Sequence, residues 1–255
     1  MAMQLEIPAC QRTELLGIPL DNVTLAEAVE TIVERLDGPL PQQVCFVNAD
    51  CVNIAFRHPQ YLDALRHADL VFADGIGLKL AGMALGSPVR DNVNGTDLFP
   101  RLCEALSGTG KRLYLLGARP GGVDDLCVWI ASHYPGVAIA GSRHGYFSAD
   151  EEPAVIEAIA DSGADLVLVA FGAPRQELWT QRHLGELGVK VAIGVGGLFD
   201  FYSGRIPRAP RWMRRAGLEW LYRLCQEPGR LWRRYVLGNP LFLLRVALAL
   251  RGKAA

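Results

Sequence analysis

Residues 164–204 read ADLVLVAFGAPRQELWTQRHLGELGVKVAIGVGGLFDFYSG. The apolar run ADLVLVA is a strand; it opens into FGAPRQE and the start of a helix. A second apolar strand, VKVAIG, follows and opens into the glycine loop VGGLFDFYSG. Strand, helix, strand in this order is a parallel βαβ unit with a right-handed crossover. The same grammar extends upstream. KRLYLLGARPGG is a strand and a glycine turn, VDDLCVWIASHY a helix, VAIAGSRHGYF a strand and loop, and EEPAVIEAIADSG a helix. Four strands alternating with three helices predict an α/β fold, a Rossmann-like parallel sheet with helices on both faces.

Ligands of such sheets sit beyond the carboxyl ends of the strands. Here those ends carry Gly117–Gly122, His144–Phe147, Phe171–Glu177 and Gly194–Asp200. One glycine-rich loop is accounted for by a tight turn. Four at one edge, with aromatic and polar groups among them, predict a ligand site.

The first half is less regular. Residues 1–18 read as a loosely structured start. A helix follows to Leu36, capped by Asn22 or Thr24. QQVCFVNAD is a strand feeding a loop, PQYLDALRHA a helix and DLVFADGIGL a strand entering a glycine turn. GTDLFPRLCEAL is a helix capped by Thr96 or Asp97. After Ser203 the composition changes to Arg- and Trp-rich, and two or three short amphipathic helices are predicted, broken at Pro228 and Pro240. The expected division is a core over 1–204, with halves at about 15–108 and about 109–204, and a basic helical appendage over 205–255.

The net charge of −1 conceals an asymmetry. From Arg205 to Ala255 there are 12 Lys and Arg against two acids, a net of +10; the first 204 residues hold 14 against 25, a net of −11. A basic tail on an acidic body calls for an anionic partner. Arg223, Arg230, Arg233 and Arg234 fall on repeating helical turns, and Arg230 with Arg233 makes an i, i+3 cationic face. Trp212, Trp220, Leu221, Trp232, Phe242 and Leu243 suit a lipid headgroup boundary. A packed hairpin with a solvated basic face, or a nucleic-acid surface, are the alternatives. The reading taken is a membrane surface and no nucleic acid, with self-association through the apolar tail when lipid is absent.

Other classes are disfavoured. No G-x-G-x-x-G opens a helix after the first strand, and no P-loop motif occurs. The five His are dispersed and no D-x-D triplet is present, so no metal is expected. The six Cys show no CxxC spacing and read as reduced, mostly buried thiols. No signal peptide and no transmembrane stretch are read.

Several residues can carry chemistry. Asp74, in FADGIG, follows an apolar strand and precedes two glycines; it is either a general base in a cleft or a cap holding the turn. Asn48 and Asp50 end a strand, suited to a sugar hydroxyl or to a local Asx turn. Arg90, Asn92 and their neighbours in RDNVNGTDLFP divide between capping and the cleft. Gly117, Ala118 and Tyr146 lie on the first two loops. In FGAPRQE, Phe171 and Gly172 let a ligand approach, Gln176 donates and accepts, and Glu177 accepts. Gly197 and Asp200 lie in GGLFDF, where the carboxylate suits a ribose.

Taken together, NAD at 48–50, ADGIG at 73–77, NGTDL at 94–98, LLGARPG at 115–121, FGAPRQE at 171–177, GVGGLFDFYSG at 194–204 and the Arg-rich run at 208–235 resemble the WecG/TagA/CpsF family of glycosyltransferases. The resemblance spans about residues 15–245. It implies an inverting, metal-independent enzyme without a cofactor that uses a UDP-sugar donor and a polyprenyl-diphosphate-linked saccharide acceptor. It places the enzyme on the cytoplasmic face of the inner membrane, in cell-surface or exopolysaccharide synthesis. The family base maps onto Asp74, a sugar contact onto Asn48, nucleotide contacts onto Gln176 and Asp200, and diphosphate-binding arginines onto Arg223, Arg230 and Arg233. Many members carry Arg where Asn92 stands; neighbouring Arg90 is the candidate substitute.

Overall fold

A computed structural model describes residues 12–254. Six parallel strands form the central sheet: β3 (Gln42–Val47), β4 (Leu70–Ala73), β5 (Arg112–Gly117), β6 (Ala138–Arg143), β7 (Leu166–Ala170) and β8 (Val191–Gly194), in the spatial order β4-β3-β8-β7-β5-β6. This is the expected α/β fold. Alternation along each strand builds a core on either face. Val44 and Phe46 of β3 point to one side, with Leu166, Leu168, Val191 and Ile193; Cys45 and Val47 point to the other. The first face is covered by α1 (Leu25–Arg35), α5 (Gly95–Leu106), α6 (Gly122–His133) and α9 (Leu198–Tyr202). The second is covered by α2 (Ala49–Ala55), α3 (Pro59–His67) and α4 (Ile76–Ala84), then by α7 (Glu152–Asp161) and α8 (Arg175–His183) further along.

Local chemistry explains most element ends. Thr24 caps α1 in a reciprocal capping box with Glu27. Asn94, rather than Thr96 or Asp97, caps α5: its Oδ1 accepts from the Asp97 N–H at 2.7 Å. Three short helices, α2, α4 and α9, begin within a few residues of a strand end, where the sequence predicts a loop or glycine turn.

The opening segment differs from expectation. Residues 12–21 form a hairpin of β1 (Arg12–Leu15) and β2 (Ile18–Asp21), turned by Leu16 and Gly17, both at positive φ. That tight turn usually shows itself as Asn-Gly or Asp-Gly; Leu-Gly hides it. Asp21 anchors the hairpin, accepting from the Val71 N–H at 2.7 Å and pairing with Arg12. Residues 1–11, including Cys10, lie outside the described residues. Cys45, Cys51, Cys103, Cys127 and Cys225 are free thiols.

The tail continues as α10 (Arg211–Arg215), α11 (Glu219–Gln226), α12 (Pro228–Trp232) and α13 (Gly238–Ala254). The break predicted at Pro228 is present: α11 ends at Gln226 and Pro228 starts α12. Pro240 does not break a helix: residues 233–237 form a π-helical turn, with the Gly238 N–H donating to the Arg233 carbonyl, and the helix runs on. A proline lacks an N–H and crowds the carbonyl four residues back, and a widened turn just before it absorbs both effects. Phe242 and Val246 of α13 are buried in the same core as α2, α3 and α4. Phe242 therefore packs beside Gly77 and Ala49 and is not available to embed in lipid. Among the described residues, no helix is long and apolar enough to cross a membrane.

Candidate active site

A parallel sheet brings all strand ends to one edge. From one side to the other, this edge carries Asp74 after β4, Asn48 after β3, Val195–Gly197 after β8, Phe171–Pro174 after β7, Ala118 after β5 and His144–Tyr146 after β6. The sequence-predicted loops thus meet along one line.

Asp74 is held by its backbone. Its N–H donates to the Val47 carbonyl at 2.7 Å, and the next N–H, of Gly75, donates to Asn92 Oδ1 at 2.6 Å. Gly75 has φ of 97°, a conformation that glycine adopts without penalty. The carboxyl is therefore fixed on a turn that Asn92 locks, so Asn92 acts on the site through the backbone of Gly75. Burial pushes the Asp74 carboxyl up to about 6; Arg234, the Asn48 amide and Arg223 pull it back, and Glu219 pushes further up. A carboxyl near this value is poised for proton transfer close to neutral pH.

Asn48 does two things. Its Oδ1 accepts from the N–H groups of Asp50 and Cys51, both at 3.1 Å, capping α2, while its amide bears on Asp74. Arg90 is turned elsewhere: its guanidinium is bidentate to Glu27 at 2.9 Å and exposed.

The nucleotide-side predictions divide. Gln176 and Glu177 are both buried. Gln176 Oε1 accepts from the N–H groups of Gly172 at 3.0 Å and Gly196 at 2.9 Å, tying the β7 loop to the β8 loop; its amide donates to Glu177 Oε1 at 2.9 Å. A Cβ on Gly194 would lie 2.8 Å from that amide and would displace Gln176. Burial pushes the Glu177 carboxyl up to about 7. Both residues are struts beneath the loops. Replacing Gln176 with Ala leaves two loop N–H groups without their acceptor, at a cost of about 1–3 kcal/mol. The expected result is a lowered melting temperature, measured by thermal shift.

Ala118 holds a positive φ of 59°, a strained conformation for a residue with a side chain, and its carbonyl accepts from Gly145 at 3.0 Å. Gly117, at φ of 139°, sits where a Cβ would meet Ala170. Tyr146 is 65% exposed at the end of the line. Phe171 packs edge-on against Trp179 and Phe147, with Arg175 4.6 Å over its ring. Asp200 lies by Gly197, over which Arg223 passes: a Cβ on Gly197 would be 3.3 Å from Nη2 of Arg223 and 4.0 Å from the Asp200 carboxylate.

The tail folds back onto this edge. Arg223 stacks 4.8 Å over Phe201. Arg234, not Arg233, turns inward: its Nε lies 3.4 Å from Asp50 Oδ2, and its charge acts on Asp74. The Nε of Arg223 is buried without a hydrogen-bond acceptor, and that of Arg234 has only the long ion pair to Asp50, which suits both to an incoming anion. Arg233 lies over Trp232, and Arg230 pairs with Glu227 at 2.5 Å. Both still line a cavity of about 350 Å³ with Asp50, Asn53, Arg57 and Arg234. Arg208 and Arg214 clasp Asp97 at 2.7 and 3.3 Å, and Arg245 bonds Asn53, so the tail is pinned at three places. Burial would raise the Asp97 carboxyl, but Asn94 and the two arginines outweigh it and hold it low.

The sequence offers Arg234 alongside Arg223, Arg230 and Arg233 as a cation for an anionic partner, and the family mapping names only the other three. The direction of Arg234 toward Asp50 is set by the packing of the tail on the core. Among the described residues no three His, Cys, Asp or Glu cluster as a metal site.

The model of the family described as "Glycosyl transferase WecG/TagA/CpsF family" matches residues 13–255. The chain is 32% identical over 231 residues, 90% of its length and 89% of the relative's, to an N-acetylglucosaminyldiphosphoundecaprenol N-acetyl-beta-D-mannosaminyltransferase of Bacillus subtilis (strain 168). A protein with the same description from Bacillus spizizenii (strain ATCC 23059 / NRRL B-14472 / W23) is 35% identical over 75% of this chain and 73% of its own. Another, from Staphylococcus aureus (strain MW2), is 28% identical over 94% of each.

Proposed function

The chain belongs to the WecG/TagA/CpsF family of glycosyltransferases, and from that premise we propose that it moves an N-acetylhexosamine-type sugar from a UDP-sugar to a saccharide on polyprenyl diphosphate. The observation that carries this reading is that two tail arginines lie on the strand edge that bears Asp74, Arg223 beside Gly197 and Arg234 beside Asp50, and that both lower the Asp74 pKa. A base and converging cations at one strand edge are what a displacement at a sugar diphosphate requires. The names of the relatives, which specify a diphosphoundecaprenol acceptor, support the acceptor class.

The reaction is a single displacement. The acceptor hydroxyl gives its proton to the Asp74 carboxylate, and its oxygen bonds to the anomeric carbon. The bond from that carbon to the diphosphate oxygen breaks, and UDP leaves with the electron pair. The configuration at the anomeric carbon inverts. Arg223, beside Gly197 and Asp200, meets the leaving diphosphate. No metal takes part. The basic tail holds the enzyme on the cytoplasmic face of the membrane, where the lipid-linked acceptor lies.

The test is a panel of UDP-sugars incubated with short polyprenyl-diphosphate-linked saccharides and read by mass spectrometry. One donor is expected to add one sugar residue to the acceptor, with product anomeric configuration opposite to the donor's. UDP release at the same rate without acceptor would replace this reading with a nucleotide-sugar hydrolase.

A further inference from the structure

Helix α4 begins two residues after Asp74 and reads IGLKLAGMA. One face, with Leu78 and Ala81, is buried. The opposite stripe is also apolar: Ile76, Leu80 and Met83 are 41, 57 and 63% exposed, at the i, i+4, i+7 spacing of one helix face. The single charge on this helix is Lys79. A solvent-facing stripe of this kind, beside the candidate base, asks for a partner.

The stripe is continuous with the tail. Ile76 packs against Gly217, at the junction of α10 and α11, and Phe242 of α13 packs against Gly77. On α13 itself Leu243, Leu244 and Leu248 are exposed. From Pro228 to Ala254 there are six Lys and Arg and no acid. We propose that the α4 stripe is a second membrane-contact surface, carried by the core rather than by the tail, and that it seats the Asp74 turn against the headgroup layer. This rests on the reading that the acceptor is lipid-linked.

Charge selects the occupant. A second copy of the chain meeting this face about a two-fold axis would bring one net-basic tail against another. An anionic bilayer complements the tail and takes up the apolar stripe.

The test uses the full chain with vesicles of phosphatidylethanolamine and phosphatidylglycerol. Three variants are compared: Leu80→Ser with Met83→Ser, Leu244→Ser with Leu248→Ser on the tail, and Val128→Ser on exposed α6 as control. The α4 pair is expected to lower vesicle partition, and transfer to a long-chain acceptor in those vesicles, by about tenfold. Its turnover on a short water-soluble acceptor and its melting temperature should match the parent, and Val128→Ser should change nothing. In the unaltered chain, vesicles should slow peroxide oxidation of Met83; this readout holds even if the variants fold poorly. Parent-like partition by the α4 pair, with loss only in the tail pair, overturns this inference and leaves the tail reading intact. Failure of the unaltered chain to bind vesicles overturns both. A dimer by light scattering that the α4 pair converts to monomer assigns the stripe to a second copy instead.

Discussion

Asp74→Asn is expected to lower turnover by about 10²–10⁴-fold, the usual contribution of a positioned general base, while UDP binding stays close to that of the parent. The amide keeps the shape of the carboxyl but cannot take the acceptor proton. The pH profile gives an independent check. Because the Asp74 carboxyl lies at about 6, kcat/KM of the parent should be flat above that value and fall tenfold per unit below it. Asp74→Asn should lose this acid limb. The stability sign separates chemistry from unfolding. A carboxyl raised from 3.8 to about 6 on folding holds its proton more tightly in the native state, so its ionisation opposes folding as pH rises through that window. Above pH 6 the Asn variant should melt no lower than the parent. Parent-like turnover in a folded Asp74→Asn protein removes this residue from the role.

Arg234→Ala is expected to cost about 10²–10³-fold in kcat/KM, the scale for losing a preorganised charge in a water-poor site. Arg234 lowers the Asp74 pKa, so its removal should also move the acid limb to higher pH. A residue that only braced the tail would not shift that limb. Arg234→Lys should restore the limb, since the charge returns, but only part of the rate, because an ammonium lacks the planar fork that fits a phosphate. The same substitution at Arg233, which lies over Trp232, should cost much less. Equal losses at the two positions, with no change of limb, would contradict the inward placement of Arg234.

These two positions mark how far the residues alone carry the argument. Asp74 was legible: an apolar strand, a carboxylate and two glycines predict a side chain at a sheet edge, and the edge is where it lies. The sheet itself was legible because strands such as LVLVA and helices such as EEPAVIEAIA differ in period and length. Asn48 was legible both as a polar group near the site and as a local Asx turn, which its Oδ1 makes with the Asp50 N–H; the lock that Asn92 puts on the Gly75 turn was not legible. Gln176 and Glu177 were assigned to the ligand; their burial makes them struts, because Gln176 spends its carbonyl on the N–H groups of Gly172 and Gly196. The hairpin at 12–21 was hidden by Leu-Gly at its turn, and the short helices α2, α4 and α9 carry too few residues to show a period.

The sequence by itself determined what lies near in the chain: strand and helix periods, the glycine turns, the cationic tail and the family to which they belong. The tertiary structure decided which of several equivalent arginines enters the site. Along a regular helix Arg230, Arg233 and Arg234 differ only in phase, and which of them faces Asp50 is set by how the tail packs on the core, where Phe242 and Val246 are buried. Direction toward a partner far away in sequence is a property of packing, and packing is written in no local pattern.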